Sequence, residues 1–144
     1  MTTEKIYFEF DVERTSAVPP LNFRVLHNGT VVHEISADQE HVKIEIIDEN
    51  AEHEIVFELL EKQPSHTRIN EQGEIVQDAV ITINNFMIDN IDVTDIFFSL
   101  SQYQHNFNGN GNSVVEKFYG TMGCNGTVTL KFSTPIYLWL LENM

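Results

Sequence analysis

Cysteine is nearly absent. Cys124 stands alone among 144 residues, which excludes an internal disulfide and any cysteine-built zinc site, and it reads as a small buried hydrophobe. Positive charge is scarce too: eight Lys and Arg stand against 22 Asp and Glu, a formal charge of −14. A chain so acidic repels phosphate backbones and anionic headgroups at long range, so neither nucleic acid nor a membrane surface is an expected partner. Alanine is sparse, and no apolar run comes near the roughly 20 residues of a membrane span. The opening MTTEKIYFEF has no basic stretch followed by an apolar one, so no secretory signal is expected and the product reads as a soluble polypeptide made in the cytoplasm. Gly-x-Ser-x-Gly elbows and Cys/His clusters are missing, and Gly109 and Gly111 lead into neither Lys-Ser/Thr nor a helix, so no common enzymatic signature is present and a non-enzymatic role is expected.

What is present is alternation, carried by ten Phe and many Ile and Val. Ile6, Phe8, Phe10 and Val12 alternate with Tyr7, Glu9, Asp11 and Glu13, the pattern of a strand with one buried and one wet face. Leu21, Phe23 and Val25 begin a second strand, and Asn28-Gly29, both tolerant of positive φ, predicts a type I′ hairpin into Thr30 to Ile35. Val42, Ile44 and Ile46 form the next strand, expected to make a hairpin with His53 to Glu61. There Ile55, Phe57 and Leu59 face one side and Val56 and Leu60 the other, as in a central strand. Residues 63–78 read as a protruding loop or small hairpin turning at Asn70 to Gly73. Strand character returns at Val80 to Ile88, with a bulge at Asn84-Asn85 and a turn at Asp89-Asn90. A helical turn capped by Thr94 is expected near 94–100. Tyr103 to Phe107, Val114 to Tyr119 and Gly126 to Phe132 read as the last strands. Fourteen of the 22 carboxylates precede Gln63, many alternating with apolar residues, which places them on solvated outer faces. The fold class is therefore all-β: one domain over 1–144, an antiparallel β-sandwich of jelly-roll or Greek-key type with one short helical turn, an up-and-down barrel being the alternative.

Three groups of residues have the composition of a site. Asp89, Asp92 and Asp95 put carboxylates at every third position of a turn, compatible with Ca2+, which takes several oxygens from an irregular loop; the ion would be optional. Tyr103 and His105, beside Asn108 and Asn110 of the Asn/Gly run, combine aromatic and amide groups suited to a glycan. The segment 135–144 is apolar on every side, and Tyr137, Leu138, Trp139 and Leu141 would either cover the sandwich or dock on a neighbouring subunit. The six histidines include no helical i, i+4 pair, and the sequons at Asn28 and Asn125 read as turns.

The pattern His53-x-Ile55-x-Phe57-x-Leu59, Lys62, Thr67, Ile69-Asn70, Gly73-x-Ile75, Asp78, Ile81-x-Ile83 and Ile88-Asp89 resembles small β-sandwich proteins of tailed bacteriophages, notably cyanophage-type myoviruses. Lys117-Phe118-Tyr119-Gly120, Gly123-Cys124-Asn125-Gly126 and Thr134 to Leu141 look like the same group. That group is similar in overall pattern to calcium-dependent xylan-binding carbohydrate modules, which are non-enzymatic sandwiches whose metal contacts sugar hydroxyls. The resemblance implies a virion-associated protein made in the host cytoplasm, with other virion proteins as partners, and glycan binding as the alternative. Only Asp89, Asp92 and Asp95 match such a metal site.

Overall fold

The alternating segments form two antiparallel sheets in the computed structural model, which describes residues 5–17, 19–47, 52–109 and 111–143. The first sheet runs in the order β12 (Thr121–Met122), β8 (Ile81–Ile88), β1 (Lys5–Arg14), β4 (Gln39–Ile47), with β9 (Ile91–Asp92) hung on β8. The second runs β11 (Val114–Lys117), β10 (Gln102–His105), β13 (Gly126–Ser133), β5 (Glu52–Leu60), β2 (Asn22–His27), β3 (Thr30–Glu34). A separate hairpin, β6 (Thr67–Ile69) and β7 (Ile75–Asp78), projects between β5 and β8 in the chain order. Helices α1 (Thr94–Leu100) and α2 (Ile136–Asn143) complete the chain. Apart from the short hairpins, successive strands change sheet, the habit of Greek-key sandwiches. Each sheet keeps separate edge strands, β4 and β12 in one and β3 and β11 in the other, so the barrel alternative fails.

The core lies between the layers. Phe8 and Phe10 of β1, Ile44 of β4 and Ile83 and Phe86 of β8 are buried against Phe23 of β2, Ile55 and Phe57 of β5 and Leu130 of β13. Phe57 meets Phe10 edge-on at 5.0 Å and Phe86 at 6.0 Å, while Phe97 of α1 stacks on Phe86 at 4.6 Å. Each such side chain contributes about 1.5–3 kcal/mol by leaving water, so this aromatic seam is the main cohesion between the sheets.

Turn chemistry follows the residues. Asn28-Gly29 (φ 48° and 86°) and Asp89-Asn90 (φ 48° and 65°) make two-residue hairpins, and Asn85 (φ 52°) forms the bulge where the β1–β8 register shifts. β5 is central, between β13 and β2.

Three expectations need correction. The hairpin between β4 and β5 does not form, because β4 pairs with β1 and β5 lies in the other sheet. Cross-strand charge sorts them: Lys5 meets Glu45 and His41 meets Glu9 and Asp11, whereas Glu58 of β5 meets Arg24 of β2 and Glu54 meets Lys131 of β13. Thr94 is the first residue of α1 rather than its cap: its hydroxyl donates to Asp92 Oδ1 at 2.7 Å and accepts the Phe86 N–H at 2.9 Å. The terminal segment is a second helix, because Ile136, Trp139 and Leu140 recur at the helical period on one side and pack on the core.

Candidate functional site

The densest polar cluster lies where β5 ends. Glu61 adopts φ 59°, which turns the chain and sends Lys62 inward. The Lys62 N–H donates to Asn125 Oδ1 at 2.7 Å, and Asn125 Nδ2 donates back to the Lys62 carbonyl at 3.0 Å. The ammonium, on a side chain only 2% exposed, donates to Asp78 Oδ1 at 2.7 Å and to the Gly123 carbonyl. The Thr67 hydroxyl donates to the same Asp78 oxygen at 2.7 Å. Beside it, buried His66 accepts the Gln63 N–H on Nδ1 at 2.8 Å, which leaves Nε2 to donate to the Pro19 carbonyl, the arrangement of a neutral ring with both nitrogens satisfied.

Tyr103 closes the cluster from β10. Its hydroxyl donates to the Cys124 carbonyl and accepts the Cys124 N–H at 2.8 Å. Burial pushes this phenol up to about 12. Burial also pushes the half-buried Cys124 thiol up, with Asp78 and Glu116 adding to the shift against the opposing pull of Lys62. Both shifts favour the protonated forms. Cys124 is less enclosed than expected because it lies in a turn rather than a strand.

This knot consumes the residues expected to take a glycan. Tyr103 and His105 are buried instead of forming an exposed aromatic platform, since their β10 positions point inward. His105 Nε2 lies 3.0 Å from Glu116 Oε2, and its ring contacts Tyr103 at 4.6 Å and Phe107 at 4.8 Å. Asn108 (φ 59°) accepts the Asn125 N–H at 2.7 Å, and Asn110 falls outside the described residues. The sequence reading missed a shallow groove of about 350 Å3 alongside, lined by Gln104, Asn106, Ser113, Asn125 and Thr127. His105 lines it too, and the side chains of Gln104, Ser113 and Thr127 make no hydrogen bond among the described residues. The alternation of β10 signals this: Gln102 and Gln104 must face away from Tyr103 and His105.

The three aspartates are used separately. Asp89 Oδ1 accepts the Tyr7 N–H at 2.9 Å. Asp92 accepts the N–H and hydroxyl of Thr94, which holds its carboxyl below the usual range. Asp95 lies exposed in the first turn of α1, where the helix dipole favours it. Among the described residues no group of three or more His, Cys, Asp or Glu is placed to hold a metal ion.

At the other end of β13, α2 divides its apolar residues. Trp139 is 6% exposed and contacts Phe132 edge-on at 6.0 Å, so it belongs to the body rather than to a free surface, as does Ile136. Tyr137, Leu138 and Leu141 are 68%, 57% and 71% exposed and share the opposite side. Phe132 stacks on His53 at 5.1 Å, and His53 Nδ1 lies 2.9 Å from His27 Nε2. Burial, then the neighbouring His53, hold His27 below its ordinary value. On the outer face of the first sheet His41 behaves oppositely: Nδ1 faces Asp11 at 2.6 Å and Nε2 faces Glu9 at 2.8 Å, and these bonds raise its pKa. No described helix is long and apolar enough to cross a membrane.

Searches of protein-family models, curated proteins and solved structures find no match to this chain.

Proposed function

We propose that the chain is a non-enzymatic structural or accessory protein of a tailed-phage particle, acting through contacts with other virion proteins. One observation supports a contact role above all: Tyr137, Leu138 and Leu141 stand in solvent on a helix whose opposite side is fixed by buried Ile136 and Trp139. A docking face held this way gives up little conformational entropy on binding. The phage setting rests on the sequence resemblance, and the −14 charge weighs against nucleic acid and anionic membrane as partners. The triple variant Tyr137→Ser, Leu138→Ser, Leu141→Ser leaves the buried side of α2 intact, so copy number in purified particles, measured by mass spectrometry, isolates the face. We expect that copy number to fall sharply. A wild-type protein absent from particles, or a variant incorporated at the wild-type level, overturns the reading.

A second reading, carbohydrate binding with optional Ca2+, is favoured by the polar groove of Gln104, Asn106, Ser113 and Thr127, whose amides and hydroxyls suit sugar hydroxyls. Calorimetry against a polysaccharide panel, with and without Ca2+, should show heat that Gln104→Ala abolishes; absence of heat throughout removes this reading.

A further inference from the structure

The exposed side of α2 does not stand alone. Helical periodicity puts exposed Glu142 at the margin of Tyr137, Leu138 and Leu141. Next to the helix an open groove of about 450 Å3 is lined by Asn28, Glu52, Glu54, Lys131, Ser133 and the edge of Trp139. His53 lines it as well, and Lys131 is its one lysine or arginine among the described residues. That ammonium lies 3.8 Å from Glu54 on a side chain 78% exposed, so the pair is loose, and Glu52 makes no ion pair among the described residues.

We infer that the α2 face and this groove together form a docking surface for a basic, apolar segment of another protein, an inference that rests on the contact role proposed above. Three apolar side chains fall short of the roughly 800 Å2 per partner that a stable interface buries, so a firm contact must take in the groove, and the groove is acidic. A second copy of this chain fits poorly. Two-fold pairing through α2 would bring two copies of the same acidic margin, Glu52, Glu54 and Glu142, into one interface on a protein already carrying −14. Anionic lipid is repelled for the same reason. A segment with apolar residues on one side and Lys or Arg on its flank matches both halves: the apolar side covers Tyr137, Leu138 and Leu141, and the cations reach Glu52 and Glu54.

Trp139 is the only tryptophan and lines the groove on the side of α2 opposite the exposed face, so its emission reports on the groove. The probe is an amphipathic Leu/Lys peptide titrated into the full chain, with a Leu/Glu peptide of the same pattern as control. The Leu/Lys peptide should shift the Trp139 emission and bind more weakly as salt rises, and the Leu/Glu peptide should not bind. Tyr137→Ser with Leu141→Ser, and separately Glu52→Gln with Glu54→Gln, should each weaken binding about tenfold, the second pair also flattening the salt dependence. Glu13→Gln with Glu45→Gln, on the first sheet, should change neither. Equal losses from both carboxylate pairs mean attraction by net charge alone and overturn the inference. So does undiminished binding by the Tyr137/Leu141 variant, sedimentation of the free chain as a dimer through α2, or a Trp139 shift with zwitterionic phosphatidylcholine vesicles. Particle incorporation without peptide binding would leave the contact role standing and sink only this partner chemistry.

Discussion

The two ends of the β5–β13 pair dispose of their side chains in opposite ways. Register fixes them at opposite ends, since Gly126 faces Leu59 and Ser133 faces Glu52, about 25 Å apart along the strands. At the Leu59 end the polar groups of Lys62, Asp78, Thr67, Tyr103 and Asn125 are spent within the knot, and Tyr103 and Phe118 are enclosed. At the Glu52 end a helix is fixed by Trp139 yet leaves three apolar side chains in water beside two acids. A cluster rich in functional groups is here a structural device, and the end with less chemistry offers the better surface. Density of polar contacts measures how much has already been satisfied, while unspent surface measures what remains for a partner.

Breaking the knot should therefore cost stability rather than binding. The largest effect is expected for Gly126→Ala, because a Cβ there collides with the Gln104 carbonyl oxygen and presses on the His105 Cβ at 3.0 Å, at the end of the β10–β13 pairing. Backbone cannot yield as a flexible side chain does, so a loss of about 3 kcal/mol or more is expected in urea unfolding, or failure to fold. Next is Lys62→Met, which strands Asp78 and the Gly123 carbonyl. Asp78 is 31% exposed, so water softens the loss to about 2 kcal/mol. The double variant Lys62→Met, Asp78→Leu should lose less than the two single losses added, since no buried charge is then left unpaired. Simple additivity would show that the pair is not coupled.

Much of the fold was legible because period-2 alternation and Asn-Gly turns act locally: Ile6 to Val12, Asn28-Gly29, Asn84-Asn85 and Asp89-Asn90 all behave as their residues require. Strand partners were not legible in the same way. Alternation tells β4 and β5 only that each has a buried face, and the choice of neighbour depends on residues far off in sequence, Glu9 and Asp11 for His41 and Arg24 for Glu58. The candidate site shows the same limit. Tyr103 and His105 read as a binding pair because aromatic and imidazole groups suit either a ligand or a core, and only β10 packing decides. Asp89, Asp92 and Asp95 are regularly spaced in sequence, but a hairpin followed by a helix start sends them to different partners. The scattered Lys62, Thr67, Asp78, Gly123 and Asn125 gave no local sign that they meet.

The α2 end should respond to milder changes, and locally. Trp139→Ala removes the ring lying against Phe132 and should cost about 2 kcal/mol, below the usual range for a core tryptophan because the helix is peripheral. Hydrogen exchange should rise through α2 while the Lys62 amide, held by Asn125, stays protected. Acid offers a finer tool. His27 sits below its ordinary 6.5, so its contribution is complete above that value and is lost as pH falls and the unfolded chain takes the proton first. His41 is raised, so its contribution is present below 6.5 and is lost as pH rises through its higher value. Urea midpoints followed across pH should lose the part of the acid limb just below 6.5 in His27→Gln, the carboxylate part remaining, and part of the alkaline limb in His41→Gln. If His27→Gln leaves the acid limb unchanged, the His27–His53–Phe132–Trp139 stack is not what couples acid to this end.

The smallest effect expected on stability is the one that separates the two ends most cleanly. Tyr137→Ser with Leu141→Ser removes large side chains already in water, so folding should change by no more than about 0.5 kcal/mol for each substitution. A sizeable loss would mean that these residues pack on the body after all and that α2 has no free face. A gain in solubility at an unchanged urea midpoint is the expected result, because apolar surface exposed on a folded protein is retained at a cost to colloidal behaviour. The same pair of substitutions at the other end, Tyr103→Ser with Phe118→Ser, should instead unfold the protein, since both rings are buried and contact each other at 6.2 Å. Aromatic and aliphatic residues of comparable size would then be indispensable in one place and dispensable in the other, and stability would not explain why Tyr137, Leu138 and Leu141 are apolar.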